Sequence, residues 1–223
     1  MEKNNYKRSN LDVRISISNF VRNIQWKLFG ILNKNDYENK WKKVITSIGW
    51  WAEIYNIDYL LNLGCKDFFV NENWFYDARF FIREENIQQI LDILICENIL
   101  LYEFSVLREL NEELCFEKIE NQKDSILKFY DLIWTEEFYK WTILWKWYSN
   151  RIPWVITYYI WNYFDIILDN KLSKSTINKL LNSPNSFLLT KEEVLSWYSK
   201  EWIPIAKNIK SSLNIDKTNY LYI

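Results

Sequence analysis

Only three glycines (Gly30, Gly49, Gly64) and three prolines (Pro153, Pro184, Pro204) punctuate 223 residues. Sheet proteins draw on both residue types at their turns, because glycine supplies positive φ and proline a preset bend. A chain so short of them has few means of reversing direction, and the scarcity therefore predicts helices. The expectation is an all-α fold: a single compact bundle of about seven to ten helices around a tryptophan-rich core. One short irregular or β segment near residues 67–83 is the exception allowed.

The densest aromatic stretch runs from Ile133 to Leu168 and holds six of the thirteen tryptophans. Trp134, Phe138, Trp141, Trp145 and Tyr148 are spaced four, three, four and three apart, which places them on one face of a helix. Pro153 then opens a second helix carrying Trp154, Tyr158, Trp161 and Leu168, the two packing as an antiparallel hairpin. The uncharged run from Ile152 to Phe164 is shorter than the roughly 20 apolar residues a membrane span needs, so no membrane role is expected. The abundance of Asn, Lys, Ile and Tyr fits an AT-rich gene, yet tryptophan has only a G-rich codon in the standard code. The tryptophans are either retained for packing or binding, or read from a variant code.

Residues 1–10 read as a polar, disordered tail without the apolar core of a signal peptide. Residues 11–223 read as a single α-helical domain, with residues 64–70 as the one place for a subdivision. Val13, Ile17, Phe20, Ile24, Leu28 and Ile31 recur every three or four residues and predict a first amphipathic helix. Tyr37, Trp41, Val44, Ile48, Ala52, Tyr55 and Tyr59 predict a second, with Gly64 suited to end it. Residues 67–83 fit neither helical nor strand period. The helical period returns at Ile87, Ile90, Leu91, Leu94 and Ile95. Ser173 caps a helix carrying Ile177, Leu180 and Leu181 that stops before Pro184. Thr190-Lys191-Glu192-Glu193 is a capping box, in which hydroxyl and carboxylate satisfy each other's amides, and it is the most specific local signal in the chain.

The chain has no histidine, which removes the commonest general base and metal ligand and every Ser-His or Cys-His nucleophile. Three isolated glycines make no phosphate loop, and three cysteines without histidine make no structural zinc site of the usual kinds. Cys65, Cys96 and Cys115 lack disulfide-framework spacing and read as small buried residues of a cytoplasmic protein. Glu109 and Glu113 share a helix face and with Glu112 could hold a hard cation, but a solvated helix face is the plainer reading. No catalytic residue, metal or cofactor is expected, and the protein is not expected to be an enzyme.

Charge is distributed unevenly. Residues 67–137 hold seventeen Asp and Glu against six Lys and Arg, whereas residues 1–43 hold ten basic against four acidic. An acidic helical surface repels nucleic acid and speeds association with a basic protein. The expected function is therefore stoichiometric binding and inhibition of a basic, nucleic-acid-processing enzyme such as a nuclease. Toxin–immunity and phage anti-defence settings both fit. Asp92, Glu97, Glu103, Glu109, Glu112, Glu113, Glu117 and Glu120 would meet the partner's cations, and Trp74 and Phe75 would anchor the contact. The alternative is nucleic-acid binding by the N-terminal helices through Lys27, Lys34, Lys40, Lys42 and Lys43 beside Trp26 and Trp41.

Overall fold

A computed structural model describes residues 12–32, 43–71, 74–96, 98–114, 132–148, 152, 154–168, 173–183, 185–213 and 221–222. It overturns the all-α expectation. The chain is built on a nine-stranded mixed sheet, with short helices around it. The strands are β1 (Asp12–Ile24), β2 (Lys27–Leu32), β3 (Ile45–Thr46), β4 (Gly49–Trp51), β5 (Phe69–Val70), β6 (Tyr76–Asp77), β7 (Arg79–Arg83), β8 (Glu136–Tyr148), β9 (Ile156–Ile167), β10 (Ser186–Leu189) and β11 (Leu221–Tyr222). The main path runs β10-β2-β1-β9-β8-β11, with β5 and β6 forming a separate hairpin.

β1 is the spine. β9 lies parallel along one edge of it. The other edge is shared by three antiparallel partners: β7 at residues 12–16, β4 at residues 18–20 and β2 at residues 23–24. Val13, Ile15 and Ile17 alternate with Arg14, Ser16 and Ser18, a period of two that places the β-branched residues on one face. The helical reading of Val13, Ile17, Phe20 and Ile24 skipped Ile15 and so missed the shorter period. The predicted aromatic helix hairpin is a β-hairpin instead. β8 and β9 pair along their full length, with a bulge at Lys140 between Tyr139 and Trp141.

One face of the sheet carries Val13, Ile15, Ile17, Val21, Leu144, Ile160, Phe164 and Ile166. It is covered by α2 (Ile87–Cys96), by the segment through Leu101 and Tyr102, and by α4 (Leu107–Leu114); between these helices lies α3 (Asn98–Leu101), and before them α1 (Ile57–Asn62). The other face carries Phe20, Ile143, Trp161 and Tyr163, with Trp141, Trp145 and Tyr159 packed against them. Trp145 stacks on Tyr159 at 4.6 Å and meets Trp161 edge-on at 4.9 Å. Ile45, Leu189, Val194, Ile205 and Ile209 form a third cluster beside α6 (Lys191–Ser196) and α7 (Lys207–Ser211). Gly30 is required there, since a Cβ would stand 2.5 Å from Ile45 Cγ2.

The local helix signals fare better. The capping box is present: Glu193 N–H donates to Thr190 Oγ1 at 3.2 Å, and Thr190 N–H donates to Glu193 Oε2 at 2.8 Å. The helix expected from Ser173 is α5 (Ser173–Asn182). Residues 67–83 hold β5, β6 and β7, so the strand option allowed for that stretch is the one taken. The expected tail at residues 1–10 lies outside the described residues. Among those residues, no helix is long and apolar enough to cross a membrane.

Candidate functional site: an acidic patch around Arg108

A line of buried amides crosses the sheet. Thr142 Oγ1 donates to Asn162 Oδ1 at 2.6 Å, and Asn162 Nδ2 donates to Asn19 Oδ1 at 2.9 Å. Asn19 Nδ2 then donates to two carbonyls of the segment lying over the sheet, Glu103 O at 2.6 Å and Ser105 O at 3.0 Å. Polar groups buried this deeply are kept only where partners satisfy them. Here they fix the path of residues 102–106. The Glu103 N–H donates to Glu53 O at 2.7 Å, which brings residues 53–55 alongside.

This path places three carboxylates on one guanidinium. Arg108 Nε and Nη2 donate to the two oxygens of Glu103 at 3.0 and 2.7 Å. Arg108 Nη1 donates to Glu112, one helical turn on, at 3.0 Å, and Glu53 Oε1 lies 3.8 Å from Arg108 Nε. Glu137 reaches over from β8 and accepts from Val106 N–H and Ser105 Oγ, both at 3.0 Å, closing the start of α4. Burial pushes the Glu53 carboxyl above its usual range. Arg108 opposes that shift, while Glu103, Glu112 and Asp77 add to it. Burial, with Glu103 and Glu53, likewise raises the exposed Tyr55 phenol. The patch therefore carries crowded negative charge. A further cation from outside would relieve it.

The sequence-predicted contact residues are dispersed. Asp92 is exposed on α2, where it accepts from Gln88 Nε2 at 2.8 Å. Glu112 and Glu113 are exposed on α4. Glu103 is only 6% exposed and sits on the extended segment, not on a helix, so its role is to hold Arg108. Glu109 lies on the backbone of α4, and Glu97, Glu117 and Glu120 lie outside the described residues. Trp74 and Phe75 are exposed at the tip of the β5–β6 hairpin. Sequence reasoning missed Glu53, Tyr55, Arg108 and Glu137. Only the Arg108–Glu112 spacing carried a signal, because Glu53, Tyr55 and Glu137 are distant in the sequence.

Of the N-terminal residues of the alternative, the described ones, Trp26, Lys27 and Lys43, lie on a turn, a strand and an irregular segment, which corrects their assignment to helices. Trp26 and Lys27 are exposed at the β1–β2 turn, and Lys43 is exposed before β3. Lys34, Lys40, Trp41 and Lys42 lie outside the described residues. An open cleft of about 260 Å³ beside that turn is lined by Arg22, Trp26, Trp141 and Lys191, among others. Buried Asp165 meets Arg22 at 3.3 Å and Lys140 at 3.4 Å at its margin. Cys65 is buried, which pushes its thiol up to about 12. Cys115 and the Cys96 side chain lie outside the described residues. Among the described residues, no three His, Cys, Asp or Glu side chains converge as metal ligands. No family model, no curated protein and no solved structure matches the chain.

Proposed function

We propose that the protein acts by binding a basic protein stoichiometrically, the patch around Arg108 receiving a lysine or arginine of the partner. The carrying observation is that Glu53, Glu103 and Glu112 share one guanidinium. Glu53, whose carboxyl is raised by burial and crowded by Glu103 and Glu112, gains from a new cation, and the partly open edge formed by Glu112 and Tyr55 lets one in. The partner class that fits is a nucleic-acid-processing enzyme, whose substrate groove is lined with such cations. The protein would then work as an inhibitor, in an immunity or phage anti-defence setting, without catalysis of its own. Glu112→Lys with Glu113→Lys should weaken binding of such an enzyme by at least tenfold, with the melting temperature little changed. Unaltered affinity in that variant removes this reading.

A second reading has its own observation: Arg22, Lys140 and Lys191 lie near the rings of Trp26 and Trp141, a pairing of cations and aromatics that suits single-stranded nucleic acid. Filter binding would support it only if affinity fell steeply with salt.

A further inference from the structure

Among the described residues, seven that are not glycine adopt positive φ, and five of these are tryptophan: Trp26, Trp74, Trp154, Trp197 and Trp202, with φ between 60° and 67°. A bulky L-residue rarely occupies that region, because its Cβ crowds the backbone. Each of the five sits in a turn whose geometry asks for glycine. Gln25 and Trp26, at φ 50° and 64°, form the two-residue loop between paired Ile24 and Lys27. Such a loop favours glycine at its second position. Trp74 is the third residue of a three-residue loop closed by Asn71 N–H to Phe75 O at 2.9 Å. Trp202 occupies the same place in a loop closed by Ser199 N–H to Ile203 O at 2.9 Å. Glycine is the usual residue at that left-handed position.

Trp154 follows Pro153 in the sequence, and the turn around it is closed by Val155 N–H to Ile152 O at 3.3 Å. Proline then glycine is the pairing of a type II turn. Trp197 is the left-handed residue that ends α6, a position glycine dominates. The contacts their rings make are at the surface: Lys210 lies over Trp197 at 3.9 Å, Lys140 over Trp26 at 5.5 Å, and Tyr198 is 6.1 Å from Trp202. Trp26, Trp74, Trp154 and Trp202 are 67%, 84%, 90% and 81% exposed, and Trp197 is 40% exposed. Trp141, Trp145 and Trp161 differ, since their rings pack against Tyr163, Tyr159 and Phe20.

Composition points the same way independently. Thirteen tryptophans and three glycines together come to about the 7% share that glycine alone holds in ordinary chains. Tryptophan and glycine readings converge on one triplet, UGA. It is a stop signal in the standard code, and variant codes read it as tryptophan or as glycine.

We propose that Trp26, Trp74, Trp154, Trp197 and Trp202 are encoded by UGA and that the living cell inserts glycine at all five. The consequence for recognition is direct: the exposed indoles at these turns are not binding anchors. Trp74 leaves the predicted contact set, the cleft of the second reading loses the Trp26 ring and keeps only Trp141, and the acidic patch around Arg108 keeps its full complement of side chains.

The test reads the five codons in the gene and sequences the corresponding peptides of the native protein by mass spectrometry. UGA codons with glycine-containing peptides are expected. UGG codons, or tryptophan in those peptides, would overturn the proposal. A recombinant pair gives a second arm: the chain as written, and the fivefold variant Trp26→Gly, Trp74→Gly, Trp154→Gly, Trp197→Gly, Trp202→Gly. Relief of five left-handed positions should raise the melting temperature by on the order of 10 °C. An equal or lower melting temperature in the glycine variant counts against it.

Discussion

Asn162→Ala tests the buried amide line that carries the whole arrangement. Asn162 has no exposure and bonds to Thr142 and Asn19 on its neighbouring strands. Truncation leaves Asn19 Oδ1 without its 2.9 Å donor, at a residue only 1% exposed. An unsatisfied buried acceptor costs about 1–3 kcal/mol. The Thr142 hydroxyl keeps a partner in Tyr139, whose hydroxyl lies 3.0 Å away, so its loss is nearer the ~1 kcal/mol of an ordinary hydrogen bond. The space vacated by the amide adds a small cavity term, and the sum is about 2–4 kcal/mol. Against a total stability of about 5–15 kcal/mol, that is a large fraction. Urea unfolding followed by fluorescence should show the midpoint falling with the slope unchanged. A double-mutant cycle with Asn19→Ala should give a coupling of about 0.5–3 kcal/mol. A loss below about 0.5 kcal/mol, or no coupling, refutes the claim that these amides hold residues 102–106 on the sheet.

Three further outcomes are expected. Thr190→Ala should lower stability by about 1 kcal/mol, read from the same urea curves, because it removes the oxygen that caps α6. Burial raises the Glu53 pKa, so the folded state binds the proton more tightly than the unfolded chain does. Stability from this group is full below the ordinary glutamate range and falls as pH rises through the raised value. Glu53→Gln should therefore flatten the stability profile just above pH 4.5 and raise stability at neutral pH relative to pH 4; a profile identical to the parent's speaks against the crowding described. Finally, the buried Cys65 thiol, with its pKa pushed up to about 12, should resist iodoacetamide at pH 8 until denaturant is added, as peptide mass spectrometry would show.

The peripheral helices were legible in the sequence, whereas the sheet was not. Ile87, Ile90, Leu91 and Leu94 keep a helical period because α2 buries one side only. Thr190 and Glu193 form a self-contained cap that needs no distant partner. β9 is buried on both faces along most of its length, so it has no polar alternation to read. In β8 the bulge at Lys140 shifts the face of Trp141 and Trp145 relative to Phe138, and the resulting spacing imitates a helix. The scarcity of glycine misled most, because tryptophan occupies turns that glycine would have marked. In the candidate site, Glu112 and Arg108 lie four apart and could be paired in advance. Glu53, just past β4, and Glu137, on β8, are distant in the sequence, and only the fold brings them in.

The most direct test of the proposed function is affinity capture from cells of the source or its host. It would be run with the parent chain and with the Glu112→Lys, Glu113→Lys variant, each before and after nuclease treatment, with bound proteins quantified by mass spectrometry. One basic protein at about equal stoichiometry is expected on the parent, surviving nuclease and lost from the variant. A nuclease-sensitive mixture, or the same protein retained equally by both chains, would contradict it.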